Sequence, residues 1–265
     1  MASIDVPLER GRFGQTSRRD LWWLQPLVVF LGLSTFIVYS TWAAMQGDHY
    51  RFGPYLSPFY SPELFGSADA WFGARPAWLP VSVTAAMLIL WAPGGFRFTC
   101  YYYRGAYYKA FWADPPSCSV GEPRKSYWGE RSLPLVLQNI HRYFLYLALV
   151  FLVFLAWDVV QGCVFVDNSG SHYGIGIGTL VLLINVILLG GYTFSCHSFR
   201  HLEGGYVDQL TRAPVRQRLY NCAGCLNRWH MVWAWCSLFW VAFSDVYVRL
   251  CAMGVWQHDW RIFLT

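Results

Sequence analysis

The chain is short of charge. Lysine, arginine, aspartate and glutamate together make up 13% of its 265 residues, about half of the ~25% typical of soluble domains. Aromatic residues, in contrast, reach 19%, and tryptophan alone occurs 15 times. This combination excludes a disordered chain and argues against an ordinary soluble domain. It indicates a protein whose surface is buried in lipid or in a very large partner.

Several sequence patterns are also missing. The first twenty residues contain four arginines but no short apolar stretch with a small-residue cleavage site, so we predict no secretory signal. The chain has no flavin or nucleotide fingerprint and no repeat of solenoid period. Its net charge of +5 forms no continuous basic face with motif support, which argues against a nucleic-acid partner. Eight cysteines in this length do not form a small disulfide scaffold.

What the sequence does contain is long apolar segments. A transmembrane helix needs ~20 mostly apolar residues, and five segments qualify, at 21–45, 77–98, 143–161, 173–194 and 229–255. The second has the shortest apolar centre and carries prolines near its ends. We therefore predict an all-α membrane protein, a bundle of five transmembrane helices within residues 21–265. Residues 1–20 are predicted to form a cytoplasmic tail.

The basic residues predict how the bundle is oriented. Sixteen of the 20 lysines and arginines lie in the N-terminal tail, at the end of span two and in the loop that follows it, or between spans four and five. By the positive-inside rule, this pattern places the N-terminus in the cytoplasm, and an odd number of spans then places the C-terminus outside. The segment 46–76, rich in proline, tyrosine and phenylalanine, is predicted to form an ordered cap on the outer surface.

This topology collects cysteine and histidine at the cytoplasmic helix ends. Cys100 follows span two, and His141 and His230 lie at the starts of spans three and five. Cys196 and His197 follow span four. Four consecutive antiparallel helices thus bring metal-capable side chains to one depth, where ionisable residues are usually functional. The sequence therefore predicts a metal site at the cytoplasmic mouth of the bundle.

Two local spacings add candidates to this set. Cys222 and Cys225 form a CxxC motif five residues before His230, so the pair is either half of a metal site, a redox pair or an ordinary polar segment. The reducing cytoplasmic side argues against a disulfide there. His197 and His201 form an HxxxH motif and share one helix face if the fourth helix continues that far.

Two cofactors fit these residues. His141 and His230, on facing helices, are the natural axial pair for a b-type haem. The alternative is a Rieske-type [2Fe–2S] cluster, with two thiolates on one iron and two imidazoles on the other, which gives the cysteines a role as well. The usual soluble Rieske loop spacing is absent, so some ligands would come from separate helices.

Long stretches of the sequence resemble a known family. The runs FRFTCYYYRGAYYKAFWADPPSCSVGEP (96–123), LQNIHRYFLYLAL (137–149), GYTFSCHSFRHLEGG (191–205) and NRWHMVWAWCSLFWVAFSDVYVRLCAMG (227–254) resemble the membrane-anchor subunit of actinobacterial succinate dehydrogenase. The resemblance covers most of the chain from about residue 77 onward. It implies a multi-pass five-helix anchor of respiratory complex II in the bacterial plasma membrane. Such an anchor docks a flavoprotein subunit and an iron–sulfur subunit, and it passes electrons to quinone.

The resemblance also bears on the cofactor. It implies a class of complex II in which a membrane-embedded Rieske-type [2Fe–2S] centre replaces haem. We assign the imidazoles to His141 and His230, with His197 as the substitute. The thiolates come either from Cys222 and Cys225 or from Cys100 and Cys196, and the sequence does not rank these two pairs.

Two places in the sequence are candidates for binding quinone, which needs an apolar cleft with aromatic walls and hydrogen-bond donors. The inner candidate comprises Tyr102, Tyr103, Arg104, Tyr107 and Trp233; the other interpretation of these residues is an aromatic belt at the headgroup level. The outer candidate is the pair Asp245 and Arg249 with Tyr247 nearby, which equally fits a structural ion pair on one helix face. We prefer the inner set as the prediction.

The same features argue against other classes of membrane protein. A transporter or channel would need polar residues in mid-membrane on several helices, whereas only Asn185, Asp245 and a few serines and threonines lie there. A purely structural anchor without metal is the residual alternative. The basic loops, which include Arg124, Lys125, Arg131, Arg212, Arg216 and Arg218, enforce topology and are also predicted to dock acidic surfaces of the soluble subunits.

Overall fold

A computed structural model describes residues 12–68, 70–124, 140–167, 170–256 and 259–263. These residues fall into two compact units. The first unit contains the described residues of 1–35 and 97–139, and the second contains those of 36–96 and 140–265. Lys125 and Arg131, two of the residues predicted to dock the soluble subunits, lie outside the described residues.

Helices dominate the described part of the chain. In chain order they are α1 (Leu24–Gln46), α2 (Ala85–Ile89), α3 (Trp91–Phe98), α4 (Tyr101–Ala106), α5 (His141–Gln161), α6 (Ile177–Phe194), α7 (His197–Gly204), α8 (Pro214–Asn227) and α9 (His230–Ala252). Within the described residues, α1, α5, α6 and α9 are long and apolar enough to cross a membrane. This confirms four of the five predicted spans as apolar helices. The five-span count and the orientation of the termini stay predictions.

The second predicted span is not one long helix. Residues 77–84 are turns and extended chain, and α2 begins only after Thr84, whose hydroxyl accepts a hydrogen bond from the Met87 amide. Leu90 interrupts the helical assignment before α3, which has Pro93 near its start and two glycines in its interior. Proline is tolerated in a first turn but glycine weakens a helix interior. The prolines at positions 76 and 80 delay the helix, which is why the predicted 22-residue span is wrong in its length.

Two small antiparallel sheets correct the prediction of an all-α fold. The first pairs β1 (Arg51–Phe52) with β2 (Tyr55–Leu56). The second has the order β3 (Val164–Asp167), β4 (Gly170–Gly176), β5 (Arg261–Phe263). The fourth predicted span starts at residue 173, but residues 173–176 belong to β4, because glycine alternates with larger residues there and pairs with β3 and β5. The α6 helix therefore begins four residues later than predicted.

A buried ion pair connects α9 to the end of α1 in the second unit. Arg249 Nε lies 2.6 Å from Asp245 Oδ2, and its two terminal nitrogens donate to the carbonyls of Asp48 and Ala43. Tyr39 donates a further hydrogen bond of 2.6 Å to the same Asp245 oxygen. A buried pair with all its groups satisfied holds helices in register. This geometry supports the structural interpretation of the pair over a quinone site.

A single carboxylate ties the C-terminal segment to the same end of the second unit. Asp259 accepts hydrogen bonds from the hydroxyls of Tyr55 and Tyr247, both at 3.0 Å, and from the backbone amide of Gly178 at 3.2 Å. Arg261 donates to it as well. Segment 46–60, the start of α6 and the end of α9 therefore meet at one anchored point. We call this end of the second unit, where α5 ends and α6 begins, the hairpin end.

Candidate functional site

Three of the predicted metal ligands lie together at the opposite end of the second unit. His141 is the first residue of α5, His230 is the first residue of α9, and Cys196 is the N-cap residue of α7 directly after α6. Their exposed fractions are 7%, 2% and 2%. The ends of the long helices thus bring a thiol and two imidazoles into the protein interior, as the topology predicts.

His141 and Cys196 are in direct contact. The distance from His141 Nε2 to Cys196 Sγ is 3.1 Å, between residues 55 positions apart in the chain. The backbone amide of Ser198 donates to the same sulfur at 3.3 Å. A hydrogen bond from a backbone amide stabilises a thiolate, which is the form of cysteine that binds metals.

Ser195 sets the orientation of His230. Its hydroxyl donates to the carbonyl of Tyr192 at 3.1 Å and lies 2.6 Å from His230 Nδ1. A hydroxyl has one proton to donate, so Ser195 Oγ accepts from the Nδ1–H of His230. This tautomer leaves the lone pair of the ring on Nε2, the nitrogen that could bind a metal.

An aromatic column separates the two histidines. Phe96 stacks on His141 with ring centroids 4.5 Å apart, and Tyr192 stacks on His230 at 5.1 Å. Phe96 and Tyr192 meet edge to face at 5.3 Å. The sequence predictions did not include Phe96, Tyr192 or Ser195. The one sequence feature that could have indicated them is their position: Phe96 precedes Arg97, and Tyr192 and Ser195 lie at the end of span four beside Cys196.

The other predicted thiols lie in different surroundings. Cys100 is buried in the first unit, where it is the N-cap residue of α4. Cys222 and Cys225 lie on α8 of the second unit and are exposed. The structure therefore places Cys196 beside a histidine, buries Cys100 and leaves the CxxC motif on the surface. The assignment of thiolate ligands stays a prediction.

His197 and His201 lie on α7 as the spacing predicts. Their Nε2 atoms are 3.0 Å apart, and both side chains are exposed. Partial burial, followed by the nearby His201 and Arg200, lowers the pKa of His197 below its usual value. His197 therefore lies in a solvent-exposed environment, whereas His141 and His230 are buried.

Four of the predicted quinone-binding residues lie in the first unit, on α4 and the π-helical segment Tyr107–Phe111 that follows it. Tyr103 is buried, and its hydroxyl lies 3.0 Å from Arg97 Nη1. Burial raises the pKa of Tyr103 to about 12 and also raises the pKa of Tyr107. Tyr102 is exposed, and Arg104 lies over the ring of Tyr101. These phenols remain protonated and able to donate at physiological pH.

The fifth predicted quinone residue, Trp233, belongs to the second unit. Its ring packs against Gly191 of α6, where a Cβ atom would lie 2.5 Å from the ring. Its indole nitrogen is buried without a hydrogen-bond partner. Buried indole N–H groups usually donate to an acceptor. The Trp233 N–H could therefore donate a hydrogen bond to a bound ligand.

The fold and the site together describe a multi-span membrane protein with buried imidazole and thiol groups at one helix end. A family model for actinobacterial succinate dehydrogenase subunit SdhC matches residues 24–254. The chain belongs to this family, and it is a membrane subunit of a succinate dehydrogenase.

A solved structure is similar over nearly the whole chain. It is a chain of the Mycobacterium smegmatis Sdh1 complex in the apo form, with 38% sequence identity and a TM-score of 0.85. The match covers 98% of each chain. Among curated protein sequences, none matches.

Proposed function

We propose that this subunit passes electrons from its soluble partner subunits to quinone by way of a Rieske-type [2Fe–2S] cluster. One observation carries the proposal: His141 of α5 contacts Cys196, which follows α6, and His230 of α9 is buried at the same end, linked to His141 through the stacked rings of Phe96 and Tyr192. A mixed thiol and imidazole set drawn from separate helices fits a Rieske-type centre, which requires both ligand types.

The donor set favours particular residues as ligands. His141 and His230 would supply the two imidazoles, and Cys196 would supply one thiolate. Cys100 is our choice for the second thiolate because it is buried, whereas Cys222 and Cys225 are exposed. Within the described residues, no three His, Cys, Asp or Glu side chains gather closely enough to hold one metal ion. Each iron of a Rieske-type centre needs only two protein ligands.

The protein groups around the donors have distinct roles. A bound cluster would supply one-electron transfer at a higher potential than an all-cysteine cluster. Ser195 holds His230 in the tautomer that carries its proton on Nδ1 and its lone pair on Nε2. Phe96 and Tyr192 stack their rings on the two histidines, which excludes water and lowers the local dielectric.

The same rings argue against the haem alternative. A haem with His141 and His230 as axial ligands would need the flat space between the two imidazoles. Phe96 and Tyr192 fill the path from one histidine to the other through three successive ring contacts. A compact cluster needs less displacement of these rings than a porphyrin does.

Reduction of quinone needs two protons as well as two electrons. Tyr103 and Tyr107 remain protonated because burial raises the pKa of each phenol. We propose Tyr103 and Tyr107, with Tyr102 and Arg104 of the same unit, as donors and walls for the quinone ring. Trp233, in the second unit, stays a predicted quinone residue, and its buried N–H has no hydrogen-bond partner.

Docking of the flavoprotein and iron–sulfur subunits is assigned to the basic side. Arg216 donates to the carbonyls of Leu202, Glu203 and Gly205, so it closes the end of α7. Arg212 and Arg218 are exposed and are the better candidates to contact acidic partner surfaces. In this proposal the bundle spans the bacterial plasma membrane with that side toward the cytoplasm.

The proposal is tested on the purified complex by EPR of the reduced enzyme, together with iron and acid-labile sulfide analysis. His141→Ala and Cys196→Ser should remove the Rieske-type signal and abolish quinone reduction. Succinate oxidation with a soluble artificial acceptor should continue, because it occurs on a partner subunit.

Two matched variants serve as controls. His197→Ala removes an exposed histidine, and Cys222→Ser with Cys225→Ser removes the exposed thiols; both should keep the signal. If the cysteine double variant lost the EPR signal and Cys196→Ser kept it, the thiolate ligands would have to be assigned to the CxxC motif instead. A sharp reduced α-band in the wild-type complex would show haem and overturn the cluster.

A further inference from the structure

A cavity of about 660 Å³ lies at the hairpin end of the second unit, at the opposite end from His141 and His230. Its lining includes Arg51, Ser61, Glu63, Trp71, Trp157 and Asp158. The volume lies within the range of small-molecule sites. Nothing in the proposed electron-transfer function uses this cavity.

Asp158 brings to the cavity a carboxyl group that forms no ion pair with another described residue. Glu63 Oε2 is 3.1 Å from Arg51 Nη2, and Arg261 at the rim is bonded to Asp259. Asp158 has no ion-pair partner among the described residues. It also lies in the last turn of α5, where the helix dipole disfavours an anion and favours a cation. The position therefore calls for a positive ligand.

A second observation points to a ligand at the same place. Ser61 is fully buried in the cavity wall, facing Asp158. Neither Ser61 Oγ nor Asp158 Oδ2 has a hydrogen-bond partner of good geometry. Buried polar groups are normally satisfied, so an N–H donor from a ligand would complete both.

Aromatic rings complete the surroundings expected for an ammonium group. Trp71 packs edge-on against Phe154 with centroids 5.0 Å apart, and Trp157 also lines the cavity. Both tryptophans are 59% exposed. Tryptophan faces attract cations, and tryptophans at a helix end are typical of the headgroup level of a bilayer.

We propose that this cavity binds the zwitterionic headgroup of a phospholipid that carries an ammonium and a phosphate. The ammonium contacts Asp158 and Ser61 beside the tryptophans. The phosphate lies toward Arg51 and Arg261, whose side chains are 36% and 32% exposed at the rim. The acyl chains leave past Trp157 along the lipid-facing side of α5.

Other occupants fit the charges less well. A quinone is neutral and would give the Asp158 carboxylate no ion-pair partner. An anionic headgroup without an amine would place its phosphate in a cavity that already holds two carboxylates. A zwitterionic headgroup instead brings an ammonium for Asp158 and a phosphate for the two arginines that line the cavity.

The test measures lipid binding to the intact complex. The detergent-purified wild-type complex is delipidated and titrated with short-chain phosphatidylethanolamine and phosphatidylglycerol, with native mass spectrometry and thermal stabilisation as readouts. We expect at least ~10-fold preference for phosphatidylethanolamine. Equal binding of phosphatidylglycerol would overturn the proposal without needing any variant.

Variants test whether the lipid binds at Asp158, and a competition experiment distinguishes a membrane lipid from a free headgroup compound. Asp158→Asn keeps the shape and should reduce the preference to less than about 2-fold. Asp48→Asn, at an exposed carboxylate of the same end that does not line the cavity, should leave it unchanged. Retention of full selectivity in Asp158→Asn would overturn the site. Competition by free phosphoethanolamine at concentrations equal to the lipid would overturn the assignment to a membrane lipid.

Discussion

At the scale of single residues, Ser195 shows how the site depends on side chains that carry no chemistry of their own. Its hydroxyl links the backbone of α6 to Nδ1 of His230, and its carbonyl accepts a hydrogen bond of 2.7 Å from Asn227 of α8. The serine therefore joins three helices at the buried histidine. Interactions of this kind fix the orientation and basicity of a metal-binding imidazole.

Replacement of Ser195 should affect the centre without unfolding the protein. We expect Ser195→Ala to lower quinone reduction by ~10–100-fold, the usual effect of losing a residue that orients a metal ligand. The midpoint potential and the EPR line shape should also shift, which a purely structural role would not produce. Ser198→Ala, three residues along, is the control and should leave both unchanged. Wild-type potential in Ser195→Ala would contradict the role.

At the scale of elements, the apolar helices were predictable and the irregular segments were not. Helices α1, α5 and α9 begin and end within about three residues of the predicted spans, because long apolar runs have one main explanation. The α2–α3 segment and strand β4 depend instead on proline and glycine placement and on distant pairing partners. Strand β4 pairs with β5, which lies near the C-terminus and has no local signal in the sequence around residue 173.

Two adjacent glycines of α6 provide an element-scale test. A Cβ atom at Gly191 would lie 2.5 Å from the Trp233 ring, whereas one at Gly190 would have no neighbour nearer than 3.7 Å. Gly191→Ala should therefore force α9 or Trp233 away and reduce stability by about 1–3 kcal/mol. Gly190→Ala should be neutral or slightly stabilising, because alanine favours helix over glycine.

The measurement is thermal unfolding of the purified complex, followed by intrinsic fluorescence. The two variants add one methyl group each to the same helix, so the comparison isolates the contact with Trp233. Equal unfolding temperatures for Gly190→Ala and Gly191→Ala would show that α6 and α9 do not approach as closely as the structure indicates.

At the scale of the whole molecule, the candidate site was predictable in outline but not in its ligand set. The positions of His141, Cys196 and His230 at helix ends follow from span boundaries alone. Which thiols accompany them depends on burial, and no sequence pattern indicates that Cys100 is more buried than Cys222 and Cys225. The structure supplies that measure, because Cys100 is buried and the CxxC motif is exposed on α8.

The distribution of charge over the whole chain leads to a test of orientation. Sixteen of its 20 lysines and arginines lie on the side predicted to face the cytoplasm. Asp48 and Tyr206 are exposed positions on opposite sides of the predicted bundle. Asp48→Cys should react with a membrane-impermeant thiol reagent in spheroplasts, and Tyr206→Cys should react only in inverted vesicles. The wild-type chain measures the background from exposed native cysteines such as Cys222. Labelling of Tyr206→Cys in spheroplasts would reverse the orientation, and it would place the buried histidines at the outer end of their helices, away from cytoplasmic partners.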